Sequence, residues 1–163
     1  MTNYLGNLTS EEKDRFVDHF KDISLRGIYM HYPNEDFLRH QAQSKIIARL
    51  TLSGIGWSKE IQPVIEEILL TNPIEHAYIC KSFVFGNDFL EKLFDVPCLT
   101  SKEKHVGIYI DIETIAGFCD FRPNSQIERT DHTVIWQRDD GVHVLMKQSS
   151  YGCTMLEFSK KGA

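Results

Sequence analysis

The sequence predicts an α+β fold, with a helical half over about residues 9–95 packed on an antiparallel β-meander over about residues 105–158. Three observations carry that expectation. Apolar residues recur with a period near 3.6 in the first part and near 2 in the last. Thr9-Ser10-Glu11-Glu12 has the spacing of a helix-capping box. Asp140-Gly141, set between two alternating apolar runs, is a strong hairpin signal.

Taken in order, the first helix starts at Thr9 and carries Phe16, Val17, Phe20 and Ile23 as one apolar stripe. Asn34 caps a second helix whose core side is Phe37, Leu38, Ala42, Ile46, Ile47 and Leu50, with Gly54 and Gly56 punctuating its end. A third starts at Ser58 and carries Ile61, Val64, Ile65, Ile68 and Leu69, a start that Pro63 opposes because proline is tolerated only in the first turn. Residues 75–85 hold conflicting signals. Tyr78, Ile79, Phe83, Val84 and Phe85 favour a strand by shape, whereas Asn72-Pro73-Ile74-Glu75 reads as a helix start. The helix is preferred up to Gly86, followed by a short helix over Asn87–Phe94 that Pro97 ends.

The last third reads as sheet. Val106, Ile108, Ile110 and Ile112 alternate with Gly107, Tyr109, Asp111 and Glu113, so one face of that strand is buried. Thr133–Arg138 and Val142–Gln148 form the hairpin, and Thr154–Phe158 closes the sheet. A two-residue turn at Asp140-Gly141 sets Arg138 opposite His143, Trp136 opposite Leu145 and Ile135 opposite Met146. One face then holds Ile135, Val142, Val144 and Met146. The other gathers Val134, Trp136, Arg138, His143, Leu145 and Lys147, a mixed apolar and basic surface.

Composition bounds the function. The chain has 163 residues with 18 Lys+Arg against 23 Asp+Glu, a net charge of −5, which suits one globular domain spanning residues 1–163. The charge is spread over both halves, so neither is the basic module that a duplex-DNA binder requires. Met1–Lys13 has neither a basic n-region nor an apolar h-region, and no apolar run is long enough to span a membrane. Cys80, Cys98, Cys119 and Cys153 stand far apart, as reduced thiols of a cytoplasmic protein do.

Motifs for chemistry fail on inspection. His76-Ala77-Tyr78 with Pro97-Cys98 is similar to the zinc-deaminase signature at those positions only, and Tyr78 and Ser101 replace the catalytic glutamate and a cysteine ligand. The histidines at 19, 31, 40, 76, 105, 132 and 143 form no metal-binding pair, so no metal or cofactor is expected. Asp111 and Glu113 share a strand face, which reads as its solvated side. Ser53-Gly54-Ile55-Gly56-Trp57 precedes a helix without following a predicted strand and lacks the third glycine of a dinucleotide loop.

The leading expectation is a small intracellular interaction or regulatory module of inhibitor, immunity or adaptor type. Its binding residues are Trp136, Arg138, His143 and Leu145, and its partner is another protein, a basic one matching the charge best. One alternative is a small hydrolase or ribonuclease using His143, Arg138 and Lys147, the only case in which nucleic acid is a partner. The other is a small-molecule-sensing domain with an aromatic interior.

Overall fold

The structure is a computed structural model that describes residues 9–20, 23–96, 104–110, 123–130, 132–148 and 153–160. It divides into two compact units, Met1–Ser82 and Phe83–Ala163. The fold is α+β, with four α-helices and nine strands of mixed pairing among the described residues.

The first unit opens with helix α1 (Ser10–Phe20). Its capping box forms as the spacing requires: the Thr9 amide donates to Glu12 Oε2 at 2.8 Å, and the Glu12 amide donates to Thr9 Oγ1 at 3.3 Å. The Thr9 backbone N–H and hydroxyl together hold the Glu12 carboxyl below the usual carboxylate range. Ile23 is exposed beyond the helix and does not extend its stripe. The Phe16 and Val17 side chains lie outside the described ones.

Helix α2 (Glu35–Ala42) is capped by Asn34, whose Oδ1 accepts from the Phe37 amide at 3.2 Å. It stops eight residues before Leu50. Lys45 turns the chain with a φ of 53°, and strand β2 (Arg49–Leu52) follows. Ile47 and Leu50 are buried as expected, but from the loop and the strand, and Ile46 is exposed. Helix α3 (Gln62–Thr71) follows a 3-10 turn at Lys59–Ile61, carries Pro63 in its first turn, and buries Ile65, Ile68 and Leu69.

Two further strands correct the expected all-helical half. Strand β1 (Gly27–Met30) was absent from the sequence reading, and strand β3 (His76–Ile79) replaces the helix preferred from Asn72. The reason for the second lies in Asn72 itself. It is buried, and its Oδ1 accepts from the Ile47 amide at 3.0 Å, so it does not cap a helix. The chain after it then pairs with β2.

β1, β2 and β3 form a parallel ladder with Gly27, Arg49 and His76 in register, a β-α-β-α-β arrangement. One side buries Ile28, Met30, Leu50, Leu52, Ala77 and Ile79, each worth about 1.5–3 kcal/mol for the larger side chains. α2 and α3 touch, so both crossovers run on one side of the ladder. The Ser53-Gly54-Ile55-Gly56 segment therefore does follow a strand, contrary to the sequence reading: it is the loop from β2 toward α3.

In the second unit, strand β4 (Val84–Phe85) runs parallel to strand β5 (Lys104–Ile110), another departure from helix and from a purely antiparallel sheet. Helix α4 (Asn87–Asp95) matches expectation and buries Phe89, Leu90, Leu93 and Phe94. Strands β6 (Gln126–Arg129), β7 (Thr133–Gln137), β8 (Val142–Gln148) and β9 (Cys153–Lys160) form an antiparallel meander, with β5 pairing on β9. The sequence reading had no β6. Asp111 and Glu113 lie outside the described residues, as do Pro97, Cys98, Ser101 and Cys119.

Candidate functional site

The hairpin is where expected, but its turn is one residue longer. The Gly141 amide donates to the Arg138 carbonyl at 3.0 Å and the Arg138 amide to the Val142 carbonyl at 2.8 Å. Asp139, Asp140 and Gly141 thus form a three-residue loop, with Gly141 at a φ of +79°. A two-residue type I′ turn would need positive φ at Asp140 as well, and Asp140 does not have it. Its carboxylate instead accepts from the Val142 amide at 3.2 Å and pairs with Arg138.

That single residue reassigns one strand. Gln137 pairs with His143, Trp136 with Val144 and Ile135 with Leu145, in place of the register expected from a two-residue turn. The reading of β8 stands: Val142, Val144 and Met146 are buried. The reading of β7 inverts, so Val134 and Trp136 join that inner face while Ile135 moves to the outer one.

The six residues gathered by sequence therefore separate. Trp136 is 0% exposed and meets the Phe94 ring edge-on, with centroids 5.9 Å apart. Arg138, its side chain 11% exposed, donates through one terminal nitrogen to the carbonyls of Phe94 and Val96, both at 2.7 Å. These bonds satisfy carbonyls at the C-terminal end of α4. Its Nε and other terminal nitrogen grip the Asp140 carboxylate at 3.1 and 2.7 Å, a bidentate pair. Arg138 is a fastener between helix and hairpin. His143, Leu145 and Lys147 stand on the opposite, outer face.

The outer face is built in rows. Ile135, Leu145, Glu157 and His105 form one row across β7, β8, β9 and β5. Gln137, His143 and Ser159 flank it on one side, and Thr133, Lys147 and Met155 on the other. Ile135 and Leu145 are half-buried, and His105 Nδ1 lies 3.8 Å from Glu157. Ile135 escaped sequence reasoning because the two-residue turn put it inward. The signal that could have found it was the second aspartate, whose side chain prefers to accept from the amide two residues on.

At the hairpin tip an open cleft of about 230 Å³ is lined by Phe94, Asp95, Ser125, Arg138, Asp139 and Asp140. Its one guanidinium is paired with Asp140, so the lining has an acidic balance. Among the described residues no three His, Cys, Asp or Glu side chains converge as a metal site would require. His76 is exposed on β3. No helix among the described residues is long and apolar enough to cross a membrane.

Comparison of the chain with protein-family models, with curated proteins and with solved structures finds no match.

Proposed function

We propose that the chain is a protein-interaction module of regulatory type that docks a partner protein on the outer face of β7, β8 and β9. The observation that carries this reading is the pair Ile135 and Leu145. These cross-strand aliphatic neighbours stay half-exposed within a surround of Gln137, His143, Thr133, Lys147 and Glu157. An apolar centre ringed by polar groups is the anatomy of a protein interface. Two of the four binding residues expected from sequence, His143 and Leu145, belong to this face. Trp136 supports it from beneath the sheet, and Arg138 ties the hairpin to α4. A net charge of −5 and the carboxylates of Asp95, Asp139 and Asp140 at the hairpin tip favour a basic partner. A reducing, cytoplasmic setting suits the buried free thiol of Cys80.

The ribonuclease reading has weaker support, because the Arg138 guanidinium is bound to Asp140 and to two carbonyls, away from His143 and Lys147. The sensing reading needs a pocket of about 300–1,000 Å³, and the hairpin cleft, at about 230 Å³ and polar, does not supply it.

Leu145→Glu tests the interaction reading, with Ile135→Glu as a second variant on the same row. A protein retained by the immobilised native chain, insensitive to nuclease, and bound about thirtyfold more weakly by both variants supports the face. Thermal midpoints within a few degrees of the native chain show that both variants fold. Equal retention by the native chain and the folded variants overturns it.

A further inference from the structure

The first unit carries a second constellation, independent of the sheet face just described. In a parallel β-α-β arrangement, ligand crevices form outside the carboxyl ends of the strands. Here the loop leaving β1 begins with His31 and Tyr32, and the loop leaving β2 begins with Ser53, Gly54, Ile55 and Gly56. His31 Nδ1 and Ser53 Oγ are 2.9 Å apart.

We propose that Ser53 and His31 are a nucleophile and general base for acyl transfer, hydrolysing esters of small apolar acyl groups. A serine hydroxyl is a weak nucleophile until a base within hydrogen-bond reach accepts its proton. In the tautomer protonated at Nε2, His31 Nδ1 is that acceptor, at 2.9 Å, against 3.5 Å from Ser53 Oγ to the Met30 carbonyl.

The backbone of the pair is held from several sides. The Ser53 amide donates to the Met30 carbonyl at 2.9 Å, and Trp57 Nε1 donates to the Ser53 carbonyl at 3.0 Å. Gly54, at a φ of +81°, lies so close to the His31 carbonyl that a Cβ there would stand 2.0 Å from its oxygen. His31 itself meets the Tyr32 ring edge-on at 4.9 Å.

Two further observations suit acyl chemistry. The amides of Gly54, Ile55 and Gly56 make no hydrogen bond among the described residues, which leaves donors for a developing oxyanion beside the serine. Ile55 is 83% exposed and Tyr32 43% exposed on the same two loops, apolar surface that an acyl group would cover. Among the described residues no carboxylate bonds His31, so the pair works as a dyad.

The steps balance. Ser53 Oγ attacks the ester carbonyl carbon as its proton passes to His31 Nδ1. The bond to the leaving oxygen then breaks, and Nδ1 returns the proton to the departing alcohol. Water next attacks the acyl carbon, giving a proton to Nδ1. The carboxylic acid leaves, and Ser53 Oγ recovers its proton.

The experiment treats the purified full chain with an alkyl fluorophosphonate and locates the adduct by tandem mass spectrometry. Turnover of p-nitrophenyl butyrate is followed in parallel. The expected result is an adduct on Ser53, lost in Ser53→Ala, with labelling and turnover about a hundredfold slower in His31→Gln. Circular dichroism of each variant must match the native chain. The adduct position is read on the native chain, so the test does not depend on a variant folding. No adduct on Ser53, or labelling undiminished in folded His31→Gln, overturns the proposal.

Discussion

The two units use sheet in opposite ways. In Met1–Ser82 three short parallel strands are joined by helices, so every strand neighbour is distant in sequence. In Phe83–Ala163 strands β6 to β9 form a meander in which each pairs with the next. The parallel unit gathers loops at its carboxyl edge, where His31 meets Ser53. The antiparallel unit offers a face, where Ile135 meets Leu145. Converging loops bring side chains to a point, as chemistry requires, and a row of cross-strand side chains offers a surface, as docking requires.

Single substitutions test the contrast between the two units. The largest effect is expected in the parallel unit from Gly54→Ala, since neither the backbone oxygen of His31 nor a φ of +81° tolerates a Cβ. A loss above about 3 kcal/mol, measured by chemical denaturation, is expected. A loss below about 1 kcal/mol would mean that the two loops are not locked together.

In the antiparallel unit, Trp136→Ala should cost about 3–5 kcal/mol, because it empties a core site beside Phe94. Leu145→Ala, one row away on the half-exposed face, should cost clearly less. Hydrogen exchange of β7 and β8 separates the two variants. Equal losses would contradict the three-residue turn and the register it imposes.

Asn72→Ala should cost about 1–3 kcal/mol by orphaning the buried Ile47 amide, with the loss of exchange protection starting at β2 and β3. Denaturation unchanged by this substitution would remove the reason given for β3 being a strand.

The smallest effect belongs to the exposed capping box. Thr9→Ala should speed amide exchange in α1 and leave the global midpoint unchanged. The folded-state pKa of Glu12 is lowered, so its contribution is present above the unfolded carboxylate range and is lost as pH falls through the folded value. Protection factors in α1, with the intrinsic exchange rate divided out, should therefore fall on acidification in the native chain, fall less in Thr9→Ala, which keeps the backbone donor, and lose that pH dependence in Glu12→Gln. A flat profile in the native chain would exclude the box as a source of helix stability.

Legibility in the sequence followed the range of the deciding contact. Thr9 and Asn34 act within one helical turn, and α1 and α2 begin where these residues put them, whereas α3 begins at Gln62, with Pro63 in its first turn, and not at Ser58. The alternation around Val106, Ile108, Val144 and Met146 likewise marks strands whose buried sides follow from period alone. The candidate sites were less legible. His143 and Leu145 share a face because β8 alternates, yet Trp136 lies on the other side of the sheet and Ile135 beside them, through one residue in a turn. His31 and Ser53 are 22 positions apart and meet only through the pairing of β1 with β2.

Capping, turn and periodicity within a few residues settled the α+β class, the starts of α1, α2 and α4, the hairpin's position and the buried side of β8. Tertiary structure alone decided that Asn72 serves the Ile47 amide and that the chain after it becomes β3. It also decided that Gly54 follows a strand. The physical reason is common to all three. A hydrogen bond or buried face supplied by a distant segment outweighs a local propensity of well under 1 kcal/mol per residue.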